Sequence, residues 1–418
     1  MFYKETNFKR TRFGMVPQDW DIRRLGTIAE DDGVYYGLTA KAIDKQTRFR
    51  MLRTTDIKDY SAEWTTLPFC EITEKRNNLS KFFLRKGELV VARAGTTGVS
   101  VLIDRDLNDI IFGSYLIKIR LKSGVYPEFI HQFFQSKFYW QYISSGQAGS
   151  TLKNINLPIL KSLEIPLPPA AEQKAIAEVL STLDEAIQKT SQVIAKTEHL
   201  KKGLMQELLT RGIGHKEFKD SEIGRIPKGW MVIRLGDESI AHIIMGQSPP
   251  SSTYNKDGKG LPFFQGKMEF GRLYPRASVY CSSPIKIAET NDILISVRAP
   301  VGDVNIAPSK SCIGRGLAAV RAKPSKLNYL FLFYCLCQNG KRFESLSGGS
   351  TFKAIRRPEL ESFLIPLPSV LEQQRIVEIL STVDQKLELE GNEKAKLERI
   401  KQGLMDLLLT GKIRVKVS

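Results

Sequence analysis

Apolar residues recur every three or four positions along two long stretches of the chain. In the first stretch they fall at Ile176, Leu180, Leu183, Ile187, Ile194, Leu200, Leu204 and Leu208. In the second they fall at Ile376, Leu380, Val383, Leu387, Leu397, Ile400, Leu404 and Leu408. This near-heptad spacing predicts two amphipathic helices. Ser369 with Glu372 reads as a capping box at the start of the second, and Pro169 holds the matching place in the first. Gly212 and Gly411 lie where each helix should stop. Each helix is then about 40 residues and roughly 60 Å long. A helix with one apolar seam needs a partner, and its own copy is the nearest. Ile176, Leu180, Leu183, Ile187 and Leu204 are therefore expected to pair with Ile376, Leu380, Val383, Leu387 and Leu404 in an antiparallel coiled coil. The alternative is two separate helices, each lying on its own head.

Before each helix the pattern changes to short apolar runs bounded by turn residues. The turn Arg85-Lys86-Gly87-Glu88 precedes Leu89-Val90-Val91-Ala92, and Glu289-Thr290-Asn291-Asp292 precedes Ile293-Leu294-Ile295-Ser296-Val297. Both read as turn and strand, and helical patterns follow at 127–142 and 326–343. The heads are thus α/β (α+β) in class.

The chain repeats itself. Residues 149–184 and 349–384 align without a gap at 20 of 36 identical positions, an offset of 200. Residues 200–210 and 400–410 match at seven of 11 positions. The starts of the units match at an offset of 210, where residues 8–26 and 218–236 share Phe, Lys, Gly, Pro, Trp and a closing Arg-Leu-Gly. Between these anchors the copies diverge, over 122 residues (27–148) in one and 112 (237–348) in the other. A shared frame holds two different heads. The expected organisation is a first head at 1–167, a first long helix at 168–212, a second head at 213–367, and a second helix at 368–412 with a short tail to 418. Pseudo-two-fold symmetry should relate the two copies.

Charge narrows the partner. The formal net charge is +17, which suggests a polyanion such as nucleic acid. Five cysteines form no CxxC pair, and Cys335 and Cys337 sit in an apolar run where buried free thiols are expected. Four histidines show no HxxxH or HExxH spacing, so no metal site is indicated. There is no apolar leader and no membrane-length run, which points to a soluble cytoplasmic protein. No Gly-Lys pair continues into a nucleotide-hydrolysing P-loop, and the Ser-Pro-Pro at 248–250 reads as a turn. A nuclease cluster and paired His-carboxylate spacing are also missing. The chain is not expected to catalyse a reaction on its own or to hold a cofactor.

Binding features remain. Arg93-Ala94-Gly95-Thr96-Thr97-Gly98 has an apparent counterpart in Arg298-Ala299-Pro300-Val301-Gly302. Ser150, Thr151 and Lys153 follow Gly149 in the first copy, as Ser350, Thr351 and Lys353 follow Gly349 in the second. Glycines allow close backbone approach, hydroxyls bond phosphate oxygens and cations neutralise them, so Arg93, Thr96, Thr97 and Arg298 are candidate DNA contacts with these. Tight turns that only fix the frame are the alternative. Base readout needs Arg, Lys, Asn or Gln in the divergent middles. Lys75, Arg76, Asn77 and Asn78 are candidates in the first head, with Gln265, Lys267 and Arg272 in the second.

The Val/Ile-Pro-x-x-Trp start, the Pro-Leu-Pro…Glu-Gln entry to each helix, the Leu-Ser-Thr-x-Asp within it and the Gly-Leu-Met…Leu-Leu-Thr exit occur twice in this order. In this combination the chain resembles the specificity subunit of type I restriction-modification systems. The resemblance implies two target recognition domains, each reading half of a bipartite asymmetric site in double-stranded DNA. It implies helices that set the half-site spacing and dock two modification subunits. Those partners would carry the adenine-N6 methyltransferase chemistry and S-adenosylmethionine, and restriction (endonuclease and translocase) subunits would join them. A stand-alone coiled-coil adaptor for nucleic acid or protein is the alternative.

Overall fold

In the computed structural model, residues 2–72, 79–146, 154–340, 342–343 and 354–417 are described. They divide into two compact units, one of residues 1–191 with 392–418 and the other of residues 192–391. The division falls midway along each long helix, so the units cross the consecutive segments expected from sequence.

The two predicted helices form, at Ala170–Thr210 and Val370–Leu408. In the first unit, Ile176, Ala177 and Leu180 share one core with Met405, Leu408 and Leu409. In the second, Ile376, Val377 and Leu380 share a core with Met205, Leu208 and Leu209. Within each unit the start of one helix therefore lies against the end of the other, which is antiparallel pairing. An ion pair repeats with it, Lys401–Asp184 at 2.5 Å in the first unit and Lys201–Asp384 at 2.8 Å in the second.

The buried stripe departs from the expected heptads. Leu387 is buried, while Leu183, Ile187, Val383, Leu204 and Leu404 are half-buried. Leu200 and Ile400 point to solvent, 56% and 41% exposed. Past the middle of the first helix the stripe keeps Leu208 but otherwise runs through Thr197, Met205 and Leu209. A straight helix turns 3.6 residues per revolution, so a seam counted in sevens drifts off the buried face.

Each head carries two sheets of four or five strands, besides two-stranded ones, and the strand order of the first recurs. The first head has an antiparallel sheet ordered Ser100–Leu102, Leu89–Ala92, Leu116–Leu121, Ala29–Tyr36. The second has Val304–Ile306, Ile293–Ser296, Leu317–Ala322, Ala241–Met245. In each head the second of these sheets contains one parallel pair, Ile110–Phe112 with Arg50–Leu52 and Ser311–Ile313 with Leu261–Phe264.

Two helical expectations are revised. The pattern at 127–142 resolves into two helices, Pro127–Phe133 and Lys137–Gly146, because Ser136 Oγ accepts the Tyr139 N–H and starts a new N-cap. The pattern at 326–343 gives a helix at Tyr329–Gln338, capped by the Asn328 side chain. Cys335 is buried as expected, but Cys337, at the end of that helix, is exposed, and all five thiols are free.

Candidate nucleic-acid interface

The frame is fixed by one clamp made twice. Trp20 donates its indole N–H to Glu172 at 3.2 Å, and Trp230 donates to Glu372 at 3.0 Å. Ser369 Oγ accepts the Glu372 N–H as an N-cap should, but the Glu372 carboxylate does not complete the capping box. It binds Trp230, His215 Nε2 at 2.8 Å and the Ile213 N–H. The next residue recurs too: Gln173 accepts from Tyr126 N and donates to Pro168 O, and Gln373 accepts from Asn328 N and donates to Pro368 O. These contacts hold each head on the helix start within its own unit.

The hydrogen-bond register between sheets aligns the two divergent heads residue by residue. Ala92 pairs with Leu116 and Ser296 with Leu317. Gly98 N–H donates to Ala92 O, and Gly302 N–H donates to Ser296 O. Arg93 therefore corresponds to Val297, and Ala94 to Arg298. The sequence alignment of Arg93 with Arg298 is one residue out, because a single shared Arg-Ala pair could not locate the offset. The exchange of Arg for a buried Val is accommodated by stacking: the Arg93 guanidinium lies 4.4 Å from the Tyr36 ring centroid. Its Nε is enclosed without a hydrogen-bond partner among the described residues.

In each head three loops meet at one edge. In the first, Arg93 N–H donates to Tyr115 O at 2.9 Å, Gly113 N–H to Leu52 O at 3.0 Å, and Thr96 Oγ1 to Thr54 O at 3.3 Å. Arg53 is held there by a bidentate pair with Asp56. In the second head, Val297 N–H donates to Gly316 O at 2.9 Å and Gly314 N–H to Phe264 O at 2.8 Å. Gln265 exchanges a hydrogen bond with Ser248, whose hydroxyl also accepts the Arg315 N–H. Lys267 pairs with Asp303 at 2.6 Å. Arg298 and Arg315 are exposed.

Of the sequence candidates, Arg93, Thr96, Thr97, Gln265, Lys267 and Arg298 gather on these edges. Arg272 does not; it donates to Asp384 of the long helix at 2.8 Å and ties the head down. Lys75, Arg76, Asn77, Ser150, Thr151, Lys153, Ser350, Thr351 and Lys353 lie outside the described residues. Tyr115, Met268 and Arg315, which sequence reasoning did not single out, also stand exposed on these edges. Sequence reasoning also missed the Trp–Glu clamp, although both partners recur in the repeat.

A groove lies between head and helices in each unit. The first, about 560 Å³, is lined by Tyr60, His131, Asp184, Lys394 and Lys401 among others. Burial holds the His131 imidazole down to about 4, so it is neutral near pH 7. The second, about 670 Å³, is lined by Lys201, Lys202, Lys267, Asp303 and Arg342 among others. Among the described residues, no group of three or more His, Cys, Asp or Glu could hold a metal ion, and no helix is long and apolar enough to cross a membrane.

A repeated clamp, a shared helical frame and two heads whose loop edges differ define a duplicated binding protein with two separate reading surfaces. A family model described as the type I restriction modification DNA specificity domain matches residues 17–199 and again 227–399. The chain is 42% identical over 423 residues to the putative type I restriction enzyme MjaX specificity subunit of Methanocaldococcus jannaschii, covering 99% of this chain and 98% of that protein. It is 29% identical over 437 residues to the MjaVIII specificity subunit of the same organism, again covering 99% and 98%. A solved chain from work on assembly and conformational transition of the type I R-M system matches with 29% identity and a TM-score of 0.58, over 95% of this chain and 99% of that one. The type I S subunit from M. genitalium shares the fold, at 18% identity and a TM-score of 0.61, over 93% of this chain and 96% of that one. The chain belongs to the specificity subunits of type I restriction-modification systems, with two target recognition domains.

Proposed function

We propose that each head reads one half of a bipartite, asymmetric sequence in duplex DNA and that the chain catalyses no reaction itself. The observation that carries this is the division between a frame whose Trp–Glu clamp, Gln hydrogen bonds and Lys–Asp ion pair recur and heads whose loop edges carry different side chains at matched positions. Arg93 against Val297, Ala94 against Arg298 and Tyr115 against Gly316 are what two readers of different sequences need. The helices dock two modification subunits, which supply the adenine-N6 methyltransferase chemistry and bind S-adenosylmethionine, and restriction subunits join that core in the cytoplasm. Arg93, Thr96, Thr97 and Arg298, with Ser150, Thr151, Lys153, Ser350, Thr351 and Lys353, serve phosphate contact, while Lys75, Arg76, Asn77, Gln265 and Lys267 are available to bases.

The test exchanges residues 27–148 for the corresponding head of another specificity subunit and sequences the methylated sites made with the modification subunits. One half-site should change and the other persist. A change in both halves, or in neither, overturns the reading.

A further inference from the structure

Resting on the reading of the heads as DNA-recognition domains, we propose that each head makes its discriminating base contact with one exposed apolar side chain at the three-loop edge, Tyr115 in the first and Met268 in the second. Tyr115 is 65% exposed and Met268 is 94% exposed. Among the described residues of each divergent head, these are the most exposed large apolar side chains. Single exposed apolar residues are ordinary on protein surfaces. What is not ordinary is their place, since two heads that share little sequence put them on the same edge.

The second head shows that the fold does not require the Tyr115 side chain, and Met268, at 94% exposure, buries almost none of its own. Tyr115 O accepts the Arg93 N–H, and the matching acceptor from Val297 N–H is the carbonyl of Gly316, which has no side chain. A Cβ at Gly316 would meet Gln265 O at 2.4 Å, so that loop has no room for a large residue. The apolar tip instead moves one loop over, to the turn Lys267–Glu269, which carries Met268. The edge thus keeps an apolar tip while the loop supplying it changes.

Cations stand on the same joined loops as both tips. Arg53 and Arg93 lie on the loops bonded to that of Tyr115, and Lys267, Arg298 and Arg315 lie on the joined loops of the second edge. Cations near an edge draw in the phosphate backbone, which carries no sequence information. The Met268 thioether gains nothing from phosphate, and Tyr115 bonds phosphate only through its hydroxyl, which Tyr115→Phe removes. The apolar surface of each tip gains by covering a thymine methyl group or a base face, and those surfaces differ between sequences. Because the two tips differ in shape and stand on different loops, the two heads would read different bases.

The experiment uses the full chain with its modification subunits and a panel of duplexes varied one base pair at a time across both half-sites. Tyr115→Ala should cost about 5-fold or more in discrimination at one or two positions of one half-site, and Met268→Ala should do the same in the other. Tyr115→Phe and Met268→Leu should keep most of it. Both side chains face solvent, so the variants should fold and assemble as the wild type does. Unchanged preference in both alanine variants overturns the proposal. A uniform loss on every duplex, or a loss of assembly with the modification subunits, overturns it too, by assigning the tips to backbone or protein contact. A wild-type complex with no preference at any position sinks the recognition reading itself, whereas a selective wild type with indifferent variants sinks only this proposal.

Discussion

At the scale of single residues, the buried carboxylates decide how each head sits on its helix. In the first unit, Arg414 bonds Glu172 at 2.6 and 2.9 Å, Asp19 at 2.8 and 2.9 Å and Glu5 at 2.8 Å, while Trp20 donates to the same Glu172. Removing the guanidinium leaves Glu172 buried without a counter-charge. Arg414→Ala should therefore destabilise this unit by about 3–5 kcal/mol, read as the shift of its unfolding transition in denaturant. The Arg414 contact holds Glu5 down to about 2 from an ordinary 4.5. A depressed carboxylate stabilises the fold above its unfolded value and loses that contribution as pH falls from 4.5 toward 2. His131 acts earlier: buried neutral at about 4 against an ordinary 6.5, it makes the unfolded chain bind more protons, so stability drops as pH falls through that window. His131→Gln should flatten unfolding free energy between those two values and leave the lower step; an unaltered slope would disprove the assignment. Trp20, Trp230, Glu172 and Glu372 were legible as shared letters of the repeat. Their contact was not, because about 150 residues separate the partners and only the folded chain joins them.

At the scale of elements, the helix stops are the strictest positions. Gly212 and Gly411 have φ of +67° and +69°, the left-handed region that L side chains avoid. Space is short as well. A Cβ at Gly411 would meet Pro17 Cγ at 2.3 Å, and one at Gly212 would meet Glu372 Oε1 at 2.4 Å and Trp230 Cζ2 at 2.6 Å. Gly212→Ala and Gly411→Ala should each cost about 1–2 kcal/mol from backbone strain, with more from the overlap. Thermal unfolding would show it, and a neutral Gly212→Ala would mean the clamp is looser than its distances. Helix existence and ends followed from periodicity and punctuation, and the antiparallel sense from the duplication. The face did not, since Leu200 and Ile400 fit the heptads and yet face solvent. The break before Lys137 escaped because a Ser N-cap inside an apolar run interrupts no periodicity.

At the scale of the whole molecule, function rests on charge and length. With a net charge of +17, binding to duplex DNA should weaken steeply with salt. If six or more phosphates are neutralised, affinity should fall by about a thousandfold or more between 50 and 200 mM salt, and a flat dependence would argue against a DNA ligand. Deleting seven residues from each long helix removes two turns, about 10 Å of rise. The spacer of the methylated sequence should shorten, and an unchanged spacer would show that helix length does not set it.

The sequence by itself determined the duplication, the two long helices with their stops, the mixed class of the heads and the family. All of these are written in local periodicity or in a comparison of the chain with itself. Only the tertiary structure decided that the compact units exchange helix halves, that Arg93 stands opposite Val297, that Arg272 serves the helix through Asp384, and that Tyr115 and Met268 crown the edges. The reason is physical. Strand register and the pairing of buried charges are set by contacts between residues distant in sequence, and divergent heads keep no pattern from which those contacts can be counted.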